Sequence, residues 1–176
     1  MNDADGELIR RWKRGEEPAF AEMVRRWEQP LARFLARLAG GDQTPDLLQE
    51  TFLRVHRARR FYSENGHFST WLFQIALNVA RDASRNRRPP ESLADEPLGA
   101  ETAAEAALER RETIDRVARA VAELPAEWRE VLALRHDAGM SFEEMARRLN
   151  TPASTLKSRF AAALKHLRRR LTEESP

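Results

Sequence analysis

Small, hydroxyl and basic side chains recur at helical spacing near the C-terminal end of this 176-residue chain. The major groove of DNA is about 12 Å wide, so a helix that enters it needs slender side chains facing the bases. Cations on the same face can reach phosphates or base edges. The residues with these properties are Ser154, Thr155, Lys157, Ser158, Arg159, Ala161 and Ala162. Their types and spacing predict a DNA-binding helix face.

Charge is distributed unevenly along the chain. Residues 145–172 contain eight Lys or Arg and no acid, whereas residues 89–109 contain six Asp or Glu and no Lys or Arg. A basic block is the electrostatic footprint of a nucleic-acid-binding protein. A charge run alone more often marks a solvated helix surface. The interpretation therefore depends on the elements that carry the charges.

Two helix-start signals precede this basic face, one before a short helix and one after the turn that ends it. Ser141 followed by Glu144 forms a capping box, which predicts a short helix. Asn150 tolerates the left-handed conformation of a tight turn. Thr151 and Pro152 are predicted as the N-cap and first position of a second, longer helix. The pattern predicts a helix-turn-helix unit.

Helical periodicity dominates the rest of the chain, and no alternating β-branched run occurs. Before the prolines at 89 and 90, amphipathic segments span about residues 5–14, 19–38, 46–60 and 69–86. Thr44 is predicted to cap the third of these, with Pro45 at its first position. We therefore predict an all-α protein with two helical domains and a helix-turn-helix in the second. The predicted parts are an N-terminal domain at 1–88, a flexible acidic linker at 89–106 and a C-terminal domain at 107–176.

Several function classes are disfavoured by what the sequence contains. The four histidines are scattered, and neither an HExxH motif nor a glycine-rich phosphate loop occurs. We expect no catalytic residues, no metal site and no cofactor. Cysteine is absent and no apolar run approaches the roughly 20 residues that span a bilayer. We expect a cytoplasmic protein that does not insert into membranes.

Two sets of motifs resemble the sigma-70 family of RNA polymerase sigma factors. The first set comprises residues 46–52 (DLLQETF), 68–72 (FSTWL) and 75–78 (IALN), with Asp82 and Arg85. The second comprises residues 124–125 (LP), 128–131 (WREV), 141–146 (SFEEMA) and 155–159 (TLKSR). The similarity follows the family's order over roughly residues 7–171. A short acidic linker in place of a middle domain is typical of the extracytoplasmic-function (ECF) group.

The resemblance implies that the chain binds core RNA polymerase through the β′ clamp and the β subunit. An acidic, amide-rich helix turn would pair with arginines of the clamp, and an apolar neighbour would add contact area. The residues expected to make this contact are Asp46, Gln49, Glu50 and Leu53. The alternative for Asp46 is that it only complements the helix dipole.

The resemblance also implies promoter binding, with the minus-ten element held as a single strand and the minus-thirty-five element as a duplex. Phe61, Tyr62 and Phe68 would form a pocket for a flipped base, although Phe68 is equally compatible with the core. Asn78 has the donor and acceptor needed to read a base edge. Phosphates would be held by Arg81, Arg85, Arg87 and Arg88.

The second DNA-binding region departs from the family pattern at two places. Ser154 replaces a frequent glycine, and Ala161-Ala162 replaces a position that is often long and basic. The second change leaves fewer contacts to DNA. The resemblance further implies an anti-sigma factor as a partner, a monomer when free, and a linker that mimics nucleic-acid charge in the polymerase channel.

Two other function classes stay open at this point. A helix-turn-helix regulator that acts without polymerase would not need the acidic turn at 46–50 or the aromatic loop at 61–68. A helical adaptor that binds only protein would not need the acid-free segment at 145–172. Both alternatives are therefore open to experimental test.

Overall fold

The computed structural model describes residues 3–63, 67–86 and 104–173. These ranges contain eight α-helices and a 3₁₀ turn, and no strand, which confirms the all-α prediction. The helices are α1 (Asp3–Lys13), α2 (Glu17–Ala39), α3 (Thr44–Arg57), α4 (Phe68–Asn86), α5 (Ala104–Ala122), α6 (Ala126–His136), α7 (Phe142–Leu149) and α8 (Ala153–Glu173). The 3₁₀ turn, Ala58–Phe61, follows α3. Most of the predicted linker lies outside the described residues, and α5 begins three residues before the predicted second domain.

The first domain packs α1 to α4 around an aromatic core. Trp12, Phe34 and Phe73 are fully buried, and the rings of Phe34 and Phe73 meet edge to face at 4.9 Å. The predicted amphipathic segments correspond to these four helices. Helix α2 continues through Pro30 as one helix. The apolar faces of α1 to α4 therefore form one core, which holds α3 and α4 side by side.

Two predicted threonine caps are wrong. The Thr44 hydroxyl donates to the Gly40 carbonyl at 3.0 Å, and the position before α3, Gln43, makes no side-chain cap. The Thr151 hydroxyl similarly donates to the Leu149 carbonyl at 3.1 Å, and α8 begins at Ala153. A helix leaves its last carbonyls without partners. Each threonine therefore satisfies a carbonyl at the end of the preceding helix rather than an N–H of the next one.

The predicted capping box and turn in the second domain are confirmed. The Ser141 hydroxyl accepts from the Glu144 N–H at 3.1 Å, and the Ser141 N–H donates to the Glu144 carboxylate at 2.8 Å. Asn150 has φ 49°, in the left-handed region. Phe142 of α7 then packs edge to face on Phe160 of α8 at 5.6 Å. These contacts fix the angle between the two helices of the helix-turn-helix.

The two domains contact each other through α2 and α6. The apolar cluster of the first domain continues into the second, where it includes Leu134 and Met145. Arg129 donates to the Leu38 carbonyl at 3.1 Å. Arg37 pairs with Asp137, whose side chain is only 7% exposed, with Nη2 at 3.3 Å from Oδ1. Helix α6 therefore lies between the first domain and the helix-turn-helix.

Candidate nucleic-acid interface

Helix α8 presents the predicted DNA-binding face as one continuous surface. Ser154, Lys157, Ser158 and Ala161 are exposed. Thr155, Arg159 and Ala162 are half-buried along the edges of the same face. Leu156 and Ala163 are fully buried on the opposite side and hold α8 against the domain. The structure thus brings together all seven residues that the sequence singled out on this helix.

Both cations of this face have acidic neighbours. Arg159 pairs with Glu127 of α6 at 2.5 Å between Nη2 and Oε2. Lys157 pairs with Glu143 of α7 at 3.3 Å. A backbone hydrogen bond and the Lys157 ammonium lower the pKa of Glu143, so this carboxylate is charged at neutral pH. DNA phosphates would have to compete with these carboxylates.

The aromatic residues near the start of α4 do not share one environment. Phe61 is 85% exposed, whereas Tyr62 and Phe68 are only 4% and 2% exposed. The Tyr62 and Phe68 rings meet at 5.6 Å, and each also contacts Trp71. The prediction that all three rings face a captured base therefore needs correction. Tyr62 and Phe68 belong to the core, where their buried area stabilises the fold, and Phe61 is the one of the three rings that is exposed.

Asn78 is exposed on the surface of α4. Gln74, one turn earlier, donates to the Asn78 Oδ1 at 3.3 Å. Arg81 is bound to Glu130 of α6 by two hydrogen bonds of 2.8 and 2.5 Å, which raise the pKa of Arg81. Arg85 is exposed and pairs with Asp82 of the same helix. Arg87 and Arg88 lie outside the described residues.

Helix α3 presents the residues predicted to bind polymerase. Asp46 and Gln49 are exposed, and Leu53 is 43% exposed. Glu50 is half-buried and accepts a 2.7 Å hydrogen bond from Arg54. The four predicted residues therefore form one patch of acidic, amide and apolar groups.

Arg54 is a functional candidate that the sequence reasoning missed. It bonds Glu50 at 2.7 Å and Asp82 at 2.6 Å, so it joins the patch of α3 that is predicted to bind polymerase to α4, the helix that is predicted to bind DNA. Hydrogen bonding from Arg54 lowers the pKa of Asp82. The i, i+4 spacing of Glu50 and Arg54 was a signal for the first contact. The second contact joins residues 28 positions apart and has no local signal.

The described part of the chain contains no helix long and apolar enough to cross a membrane. Within the same ranges, no group of three or more His, Cys, Asp or Glu residues has an arrangement that could hold a metal ion.

Comparison with protein families identifies both domains. Residues 23–89 match Sigma-70 region 2, and residues 114–167 match Sigma-70, region 4. The chain is similar to the ECF RNA polymerase sigma-E factors of Salmonella typhimurium and Escherichia coli K12, at 30% identity over 171 residues and 90% of each chain. It is also similar to the RNA polymerase sigma-H factor of Pseudomonas aeruginosa, at 29% identity over 174 residues, or 92% of this chain and 90% of that one.

Solved structures agree with these relationships. The structure of CnrH in complex with the cytosolic domain of CnrY aligns with a TM-score of 0.72 and 28% identity, covering 98% of this chain and 100% of CnrH. The sigma factor RpoE of Bartonella quintana, in complex with the anti-sigma factor NepR, shares the fold with a TM-score of 0.70 and 22% identity, covering 89% of this chain and 98% of RpoE. The chain belongs to the sigma-70 family of RNA polymerase sigma factors, within its extracytoplasmic-function group.

Proposed function

We propose that this sigma factor binds core RNA polymerase, recognises promoter DNA through both domains and promotes strand opening. The observation that carries the proposal is the presence of two exposed faces on separate domains. One face is the slender, basic side of α8, and the other combines the free ring of Phe61 with the amide of Asn78. A single duplex-binding regulator has no need of the second face.

The face of the first domain suits capture of a parted strand. Melting costs on the order of 1.4 kcal/mol per base-pair step. Stacking of one base on an aromatic ring returns about 1–3 kcal/mol. Phe61 therefore offsets the melting of about one step, and Asn78 adds hydrogen bonds to a base edge. Arg85 and, once released from Glu130, Arg81 would hold phosphates beside it.

The second domain suits the minus-thirty-five duplex. Ser154, Thr155 and Ser158 can approach base edges, while Lys157 and Arg159 reach phosphates or guanines. Ala161 and Ala162 offer no hydrogen-bond donors, so this domain contributes modest affinity. The polymerase must therefore supply much of the hold on the promoter.

The α3 patch suits the β′ clamp of core polymerase. Asp46 and Gln49 can accept hydrogen bonds from arginines on a partner helix. Leu53, one turn further along α3, contributes apolar area beside these polar groups, and interfaces commonly combine the two.

An anti-sigma factor is the further partner that we propose. RpoE of Bartonella quintana is bound by the anti-sigma factor NepR. Among the described residues, Leu53, Phe61, Ile114 and Leu164 are large, apolar and exposed, which suits a protein partner on either domain. We expect the free chain to be a monomer in the cytoplasm.

The decisive experiment is reconstituted transcription with bacterial core polymerase and a promoter library. We expect promoter-dependent transcripts that share minus-ten and minus-thirty-five elements. Leu53→Asp should abolish the transcripts while binding of the free chain to duplex DNA is retained. Ala21→Asp, which places the same charge on an exposed position of α2, is the matched control and should transcribe normally. Duplex binding with no transcripts would favour the regulator that acts without polymerase.

A further inference from the structure

Helix α6 carries two glutamates one turn apart, and each is bonded to an arginine of a different DNA-binding face. Glu127 pairs with Arg159 of α8 at 2.5 Å. Glu130 bonds Arg81 of α4 through two hydrogen bonds of 2.8 and 2.5 Å. Neither glutamate belongs to the surfaces assigned above to DNA or polymerase. One helix therefore reaches toward both faces with carboxylates.

We propose that Glu127 and Glu130 act as an internal substitute for DNA phosphate. They pair with Arg159 and Arg81 in the DNA-free chain, and DNA phosphates have to compete with them for those arginines. This inference rests on the proposed function, because it assigns both arginines to DNA contacts. It adds regulation of those contacts by the chain's own α6.

The geometry makes Glu130 and a phosphate compete for the same two donors of Arg81. A guanidinium presents a rigid fork of donors that matches either a carboxylate or a phosphate. Glu130 uses Nε and Nη2 of that fork together. Its side chain is 17% exposed, and that of Arg81 is 37% exposed, so water screens this pair only partly. A phosphate cannot take the same two donors until Glu130 leaves.

The pair at Arg159 is more open to solvent. The Arg159 side chain is 28% exposed, but that of Glu127 is 64% exposed. Exposed ion pairs contribute little because water and salt screen them. Glu127 should therefore mask Arg159 less strongly than Glu130 masks Arg81.

The Arg81–Glu130 pair also depends on the arrangement of the domains. Glu130 reaches Arg81 because α6 is tied to the first domain by Arg129 on the Leu38 carbonyl and by the Arg37–Asp137 ion pair. Promoter elements about 25 base pairs apart are separated by about 85 Å of duplex. A compact chain of this length is only about 40 Å across. The domains must part on a promoter, so Arg81 is released when the chain spans both elements.

The test measures binding of the free full-length chain to two labelled probes of randomised sequence, a short single strand and a short duplex. Phosphate contacts do not depend on sequence, so randomised probes report on them. Glu130→Gln should raise the affinity for the single strand about fivefold, and Glu127→Gln should raise the affinity for the duplex about twofold. Each variant should leave the other probe unaffected, so each serves as a control for the other.

Further variants separate local release of an arginine from a change in overall charge. Glu112→Gln removes the same charge from an exposed position on α5 and should change neither affinity. Arg81→Ala should weaken single-strand binding, and adding Glu130→Gln to it should restore nothing. If Glu130→Gln still raises the single-strand affinity of a chain that carries Arg81→Ala, the proposal is overturned. The effect would then come from long-range electrostatics.

The outcomes also distinguish this proposal from the proposed function. If Arg81→Ala weakens single-strand binding but Glu130→Gln does not strengthen it, the proposal that Glu130 masks Arg81 is overturned. The assignment of Arg81 to DNA is then retained. If Arg81→Ala has no effect on single-strand binding, the assignment of Arg81 to DNA is wrong, and the masking is overturned with it.

Discussion

Two adjacent residues with similar aromatic side chains, Phe61 and Tyr62, have different roles because one side chain is exposed and the other is buried. Phe61 and Tyr62 are neighbours in sequence, yet one ring lies in solvent and the other in the core. Burial of a ring stabilises the fold through area and packing, whereas an exposed ring contributes little to folding. A large exposed aromatic residue beside a polar helix face is therefore better explained by binding than by stability.

Phe61→Ala should separate function from stability. The free energy of unfolding should change by less than about 0.5 kcal/mol, because the side chain is exposed. Open-complex formation should weaken by about 1–3 kcal/mol, the stacking lost with one base. Thermal unfolding measures the change in stability, and permanganate footprinting measures open-complex formation. The contrasting variant is Phe68→Ala, which should destabilise the fold by about 3–5 kcal/mol because it leaves a cavity.

Asn78→Ala should weaken strand opening more than duplex docking. The amide reads a base edge only after the strands part, and such contacts are worth about 1–3 kcal/mol each. Permanganate footprinting measures opening, and gel shift on the closed duplex measures docking. Gln74→Ala is the control, because Gln74 contacts Asn78 without being assigned to DNA, and its effect should be smaller. Equal loss in both assays would remove Asn78 from the single-strand site.

Individual helices were predictable because their signals are local. The capping box at Ser141 and the left-handed Asn150 each depend on residues within a few positions. The threonine caps failed because a hydroxyl can donate as well as accept, and the carbonyl at the end of the preceding helix competes for it. The Arg81–Glu130 contact was not predictable, since its partners are 49 residues apart. The exposed face of α8 could be predicted, but the glutamates that form ion pairs with its Lys157 and Arg159 could not.

The capping box of α7 should make the stability of the helix-turn-helix depend on pH. Ser141→Ala should cost about 1 kcal/mol, the usual value for a lost N-cap. Hydrogen bonds from the Ser141 backbone and hydroxyl lower the pKa of Glu144 from its ordinary 4.5. The contribution of the charged carboxylate is therefore complete above pH 4.5 and is lost as the pH falls through the lowered pKa.

The variant that tests this pH dependence is Glu144→Gln, which keeps a hydrogen-bonding side chain at the third helical position. Its unfolding free energy should be lower than that of the wild-type chain at pH 7, and the difference should shrink below pH 4.5. Chemical denaturation across that range provides the measurement. A difference that stays constant with pH would show that the charge of Glu144 contributes nothing.

At the scale of the whole molecule, the two domains are packed together through α2 and α6, and we call this the closed arrangement. It depends on a few contacts that no local sequence pattern encodes. The motifs predicted two domains, but nothing in them predicted that α6 would lie on α2. The shared apolar cluster and the Arg37–Asp137 pair hold this arrangement. Because the promoter binding that we propose would require the domains to part, these contacts should be strong enough to order the free chain and weak enough to yield to polymerase and DNA.

Arg129 is the residue at which the closed arrangement can be tested most directly. Its guanidinium donates to the carbonyl of Ala122, the last residue of α5, at 2.7 Å and to that of Leu124 in the following turn at 2.8 Å. It also donates to the Leu38 carbonyl of α2 at 3.1 Å. Burial lowers the pKa of Arg129, but arginine keeps its charge. Lysine has the same charge without the fork, so Arg129→Lys cannot satisfy all three carbonyls.

We expect the wild-type chain to unfold in one calorimetric transition, because the domains share one apolar cluster. Arg129→Lys should leave the part-buried Leu38 or Leu124 carbonyl without its donor, which costs up to about 1–3 kcal/mol. The second domain should then unfold at a lower temperature than the first, and two transitions should appear. Arg33→Lys, an exposed position on α2, is the matched control and should keep the single transition. A single transition at an unchanged temperature in Arg129→Lys would mean that the hydrogen bonds of Arg129 do not hold the domains together.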